Sequence, residues 1–454
     1  MLEVLTTLGD RTSAAIIWAA DLIFSEYVLI PILFGVGIFM TVRLRFVQVV
    51  RFKDAARTLV PAAQAGAKGP LSPFQAFMTA LGASIGTGNI AGVATAIVTG
   101  GPGALFWIWV YGFFATAIKF SEAVLGIRYR RLIGERLSAG PMHYLRDGLG
   151  SPVLAWAYAA IAAVAALTTT PMSQPNSIAV AWKTVLGVPQ WATGVGLAVL
   201  TWLVVIGGVT SIGRAAEKLA PAKVFLYLVG GLVVIVTHFA NLPAMLSLVV
   251  REALSIGAVT GGTAGVGVMV AMRYGLARGI YANEAGYGTA AVAYGTARSD
   301  RPAQQGLNAV MEVFIVSFVT SSISGLTILV SGAWRSGATS SAVVAEAFNS
   351  AMPTVGGWIL AFCVFLFGYT TLTGWAYYGE QFLEYVCGTR VTILYRWVYC
   401  GLIVLGATSK VETVWAWGDL MNGLQVIPNL IGLVGLSGVA WAILRDSREK
   451  TPAA

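Results

Sequence analysis

Long apolar runs make up most of this chain, separated by short basic stretches and interrupted in places by glycine and polar residues. A helix crosses the hydrocarbon core of a bilayer with about 20 apolar residues. Windows of that length predict eleven helical spans, at 27–43, 73–99, 103–128, 152–186, 191–209, 221–240, 243–275, 306–332, 355–387, 391–407 and 412–444. The run Thr12–Phe24 is short and contains Asp21, and no basic stretch precedes it. Segment 1–26 is therefore read as interfacial rather than as a span or a cleaved leader.

The pattern is least regular within 73–99. There Ala83-Ser84-Ile85-Gly86-Thr87-Gly88-Asn89 places a polar, glycine-broken heptad inside a run otherwise long enough to cross the membrane. Lipid offers no water to a freed backbone group, so non-helical backbone at that depth must line a cavity or a site. Such a break frees N–H groups at the start of the second half, which suit an anion, and carbonyls at the end of the first, which suit a cation. A dinucleotide loop is the poorer reading of Gly86-Thr87-Gly88-Asn89, which lacks a preceding strand, the closing glycine and a downstream acid. Close helix crossing explains glycines at four-residue spacing, but does not require Thr87 and Asn89.

Setting the first span aside leaves ten, divisible into two sets of five. The first span of each set is glycine-interrupted, by Gly82, Gly86, Gly88 and Gly92 in one and by Gly257, Gly261, Gly262, Gly265 and Gly267 in the other. Paired interruptions of this kind point to inverted repeats around a midplane site. Two further spans carry polar inserts. Pro171-Met172-Ser173-Gln174-Pro175-Asn176-Ser177 predicts a bent helix with freed carbonyls. Thr370 and Thr371 lie mid-span, either bonded back to their own helix or offering hydroxyl oxygens to a small hard cation. Trp375 lies on roughly the face of Thr371.

Composition narrows the class. The chain is 57% hydrophobic and 11% charged, against about 25% charged in a soluble domain, so most of its mass belongs in lipid. The net charge of +9 is not a nucleic-acid signal, because 23 of the 29 basic residues fall in alternate loops once the N-terminus is placed outside. Arg214, Lys218 and Lys223 form one of these inner loops, and the C-terminal tail 445–454 another. Cys363, Cys387 and Cys400 lack metal or disulfide spacing. Lys119 and Glu122, three apart on one helical face, read as a structural ion pair. Glu284 falls in an inner loop rich in small residues, and the polar residues expected at the site are neutral, which favours sodium over proton coupling.

Several pieces in order resemble one family, the alanine/glycine:cation symporters. They are Gly86-Thr87-Gly88-Asn89-Ile90-Ala91-Gly92 with Gly101-Pro102-Gly103-Ala104-Leu105-Phe106-Trp107, then Arg278-Gly279 with Asn283-Glu284-Ala285-Gly286, then Gly374-Trp375 with Tyr377-Tyr378-Gly379-Glu380. Pro175 and Ala282 depart from the family pattern. The resemblance implies an all-α integral membrane protein with a leucine-transporter-like 5+5 inverted repeat and one extra N-terminal helix. In this chain that gives an extra helix at 27–43 and repeats at 73–240 and 243–444. It further implies sodium-coupled symport of small neutral amino acids across a prokaryotic inner membrane. By the same resemblance the substrate carboxylate meets backbone N–H groups of Gly86, Thr87, Gly88 and Asn89. Its amine faces Gln174 and Ser255, Ile256 and Gly257, and Trp375 caps a small pocket. The implied ligands of the sodium ion are Gly82, Ile85, Thr370 and Thr371. The alternatives are proton-coupled symport and, from another class, a passive channel, whose repeated filter loops or charged rings are not visible. No span carries a nucleophile–base pair of the kind an enzyme would need.

Overall fold

A computed structural model describes residues 15–16, 18–20, 22–23, 28–59, 67–133, 136–254 and 264–449. The described chain is mainly helical, as a bilayer requires of backbone groups with no water to bond. Among the described residues, six helices are long and apolar enough to cross a membrane. Two further pairs pass that test only together, each bent by 57° at a short break: Pro73–Ser84 with Thr87–Gly100, and Val414–Gly435 with Ser437–Ser447. Leu29–Arg43 and Gln190–Val205 are shorter apolar helices. One departure from an all-helical reading is a small antiparallel hairpin, Arg131–Ile133 with Arg136–Ser138.

Local chemistry sets the main boundaries. Ser72 accepts from the backbone of Gln75 and Gln75 returns the bond to the backbone of Ser72, a reciprocal cap that starts helix Pro73–Ser84 with proline in its first turn. The predicted run 152–186 is two helices, Pro152–Thr168 and Thr170–Leu186, meeting at Thr169. Val355–Cys387 is one unbroken helix of 33 residues with the predicted bounds.

Three elements frame the centre. Helix Val355–Cys387 packs on the first half of the broken helix, on Thr170–Leu186 and on helix Gly208–Thr237. Gly374 permits the first of these approaches, since a Cβ there would stand 2.9 Å from that of Ala83. Lys223 belongs to the interior of Gly208–Thr237, fully buried, and not to the inner loop in which its charge had placed it.

Candidate functional site

Helix Pro73–Ser84 stops because the chain turns extended at Gly86, with φ −106° and ψ −166°. A single 3-10 turn, Thr87–Asn89, leads into helix Ala91–Gly100. The break opens on a small cavity whose wall includes Gly86, Gly88, Gln174, Glu284, Thr371 and Trp375. The space available to the centre of a water-sized sphere is about 10 Å3, room for about one water. An amino acid seated here has to displace side chains.

Gln174 occupies the start of the second half-helix. Its Oε1 accepts from the backbone N–H of Thr87 at 3.0 Å and from the Thr87 hydroxyl at 2.9 Å. It thus sets a partly negative oxygen at the start of the second half-helix, where the dipole favours negative charge. Gly86 is required by close approach: a Cβ there would meet Thr371 Oγ1 at 2.8 Å and Gln174 Oε1 at 3.1 Å. At Gly88 a Cβ would strike the ring of Tyr281 at 2.7 Å.

The freed carbonyls at the end of the first half converge on the side chain of Lys223. Lys223 Nζ donates to Gly82 O at 2.9 Å, to Ile85 O at 2.5 Å and to Thr370 Oγ1 at 2.5 Å. Thr370 Oγ1 lies 2.9 Å from Gly82 O, and Thr371 Oγ1 lies 2.9 Å from Ala83 O. Both hydroxyls are also within bonding distance of carbonyls one turn back in their own helix, Leu366 and Phe367. The hydroxyls thus bond within their own helix, as the first reading expects, and also reach the carbonyls of the broken helix.

A second polar cluster braces the segment Asn283–Gly288. Lys119 does not pair with Glu122. Its Nζ meets Glu312 Oε1 at 2.6 Å, Ser84 Oγ at 2.8 Å and the carbonyl of Asn283 at 2.6 Å. Glu122 instead accepts from the backbone N–H groups of Gly286 and Gly288 and from Asn429 Nδ2. These contacts hold Glu284 in a left-handed backbone conformation, φ 54°, with Oε1 accepting from Trp375 Nε1 at 2.6 Å and Oε2 from Thr289 Oγ1 at 2.9 Å. A carboxylate therefore lines the cavity, and the expectation that the polar residues there are all neutral is corrected.

Of the residues expected at the substrate site, Gly86, Gly88, Gln174 and Trp375 line the cavity, with Thr87 bonded to Gln174. Asn89 is fully buried, and neither atom of its side-chain amide has a hydrogen-bond partner among the described residues. Ser255, Ile256 and Gly257 lie outside the described residues. Gly82, Ile85 and Thr370 come together around Lys223, with Thr371 beside them. Lys223, Glu284 and Tyr281 were missed as site residues. A signal for Lys223 exists, since it is in helical phase with Ala216, Ala220, Tyr227, Gly230 and Val234, all buried. Glu284 was visible only as part of the stretch Asn283-Glu284-Ala285-Gly286, with no sign that it faces the cavity.

The fold is that of a known class. Solved structures of the manganese transporter of Eremococcus coleocola superpose with a TM-score of 0.55 at 13% identity, over 83% of this chain and 84% of that one. The likeness is one of fold: apolar spans packed around a broken helix and a buried polar cavity.

The sodium:alanine symporter family matches residues 10–454. The sodium/alanine symporter AgcS of Methanococcus maripaludis is 38% identical over 427 residues, covering 92% of this chain and 93% of that protein. The probable sodium/glutamine symporter GlnT of Bacillus subtilis is 34% identical, over 95% and 90%. A sodium/proton-dependent alanine carrier protein of Bacillus sp. PS3 is 30% identical, over 84% and 88%. The chain belongs to the sodium:alanine symporter family, whose members are transporters and not enzymes.

Proposed function

We propose that the protein is a secondary symporter that brings small neutral amino acids, alanine and glycine first among them, into the cell with sodium. The observation that carries this reading is the break at Gly86–Asn89: its freed N–H end is held by Gln174 Oε1 and stands in a cavity walled by Trp375. In this reading the substrate carboxylate takes the N–H groups that Gln174 Oε1 now occupies, Gln174 turns towards the substrate, and Trp375 limits the side chain to the size of a methyl group. Ser255, Ile256 and Gly257 face the amine from the second broken span.

The rest of the reading follows the sequence. Repeats at 73–240 and 243–444 pack as a 5+5 inverted pair behind an extra helix at 27–43, eleven spans in all. The N-terminus is outside and the tail 445–454 inside a prokaryotic plasma membrane. Lys223 holds the oxygens of Gly82, Ile85 and Thr370, so the driving sodium ion does not share them.

Proton coupling is the second reading, and one observation favours it: the Glu284 carboxylate in the cavity wall. Uptake of radiolabelled alanine into proteoliposomes separates the two. Accumulation under an inward sodium gradient, and none under a proton gradient alone, is the expected result. Accumulation under a proton gradient without sodium would replace it with the second reading, and no accumulation under either would remove both.

A further inference from the structure

The residues that sequence reasoning assigned to a sodium ion are gathered in one place, and the place is filled. We propose that Lys223 is the resident cation of this oxygen cage: its ammonium stands where an ion would bind, so this site takes no sodium while Lys223 holds it.

The donor count fits a charged lysine. An ammonium has three N–H donors and no acceptor, and Lys223 Nζ meets three oxygens, Gly82 O, Ile85 O and Thr370 Oγ1, at 2.9, 2.5 and 2.5 Å. Two of the acceptors are carbonyls at the end of helix Pro73–Ser84, where the helix dipole is negative and no intrahelical donor remains. The face of Phe367, 5.2 Å from Nζ, adds an attraction specific to cations. The side chain is fully buried, and all three hydrogen-bond partners are neutral oxygens. An ion bound to the same three oxygens would overlap Nζ, and two like charges at that separation repel strongly in a buried site.

The amine also bridges three elements that already pack on one another: its own helix, Gly208–Thr237, the broken helix and helix Val355–Cys387. A mobile ion would bridge only the last two and would leave on release. Lys223 cannot leave the protein, so the cage contributes no transported charge, and any sodium that drives uptake binds elsewhere.

The inference rests on the proposed transport reading but fails separately from it. The experiment counts bound 22Na+ per protein at saturation in purified full-length protein, for wild type, Thr370→Val, Lys223→Ala and the double variant Lys223→Ala/Thr370→Val. Lys223→Ala is expected to bind one more sodium ion per protein than wild type, and the double variant to lose it again. Wild type and Thr370→Val are expected to bind equal numbers. An unchanged count in Lys223→Ala overturns the proposal, as does the loss of one ion in Thr370→Val, which would show that the wild-type cage holds sodium. The wild-type and Thr370→Val pair decides the matter if Lys223→Ala does not fold. Sodium-driven alanine uptake by wild type is scored separately: its absence removes the transport reading, whereas its presence with an unchanged count removes only this one.

Discussion

Two lysines are buried near the centre of this protein, and their surroundings differ in one respect. Lys119 faces a carboxylate, Glu312, whose other oxygen accepts from Tyr294. Lys223 faces only the ends of dipoles, two carbonyls and a hydroxyl. The first is a neutralised pair fixed between the broken helix, Ala104–Arg128 and Pro302–Val313, and it also holds the carbonyl of Asn283. The second is a buried amine whose three partners are neutral oxygens. Burying a charge costs several kcal/mol unless it is compensated, so a paired lysine reads as scaffold. An unpaired lysine in an oxygen cage reads as a working part.

The comparison is broken most directly at Lys119. Lys119→Met leaves the Glu312 carboxylate buried without a counter-charge, and a loss of about 3–5 kcal/mol is expected, seen as a collapse of the monodisperse, heat-stable fraction in detergent. Adding Glu312→Gln is expected to return most of that loss, because removing both charges is far less costly than stranding one; a double variant no better than the single would show that Lys119 acts alone. Lys223→Met strands no carboxylate. Its cost is about 1–3 kcal/mol for oxygens left without donors, and a thermal shift as large as that of Lys119→Met would erase the distinction. At the cavity, Trp375→Ala is expected to weaken alanine binding by about tenfold, roughly 1.4 kcal/mol. It should also admit leucine or methionine as competitors. Unchanged competition would make Trp375 part of the core.

Much of the architecture was legible because lipid imposes it. Span 355–387 was readable to its bounds, and the break at Gly86–Asn89 was visible as polar residues where the bilayer tolerates none. The buried charges were not legible in the same way. Lys223 follows Arg214 and Lys218, and a positive-inside reading draws all three into one loop; only its phase with Ala216, Ala220, Tyr227 and Gly230 marks the buried stripe. Lys119 and Glu122 are neighbours on their helix, but each finds a better partner from distant sequence, Glu312 for one and the backbone of Gly286 and Gly288 for the other. Proximity along one helix says little when a carboxylate from another helix is closer. Glu284 reached the cavity through a left-handed backbone turn, a property of the folded loop that residue order does not display.

The helix Val355–Cys387 has mechanical consequences as well. At 33 residues it is about 50 Å long, well beyond a hydrocarbon core of about 30 Å, and no proline interrupts it. Thr370 sits near its middle, and Glu384, close to its end, lies about 21 Å further along. Were such a rod to tilt about the cage, its far end would travel the most. A tilt of about 10° at Thr370 sweeps Glu384 through nearly 4 Å, by the same rise per residue. Near this end Glu380 is clamped by both arms of Arg396, at 2.8 and 3.0 Å, and Glu384 by Arg136 at 3.3 Å. The same tilt moves Glu380, about 15 Å from Thr370, by about 2.6 Å, so the Glu384 contact at the end of the rod is stretched more than the clamp on Glu380.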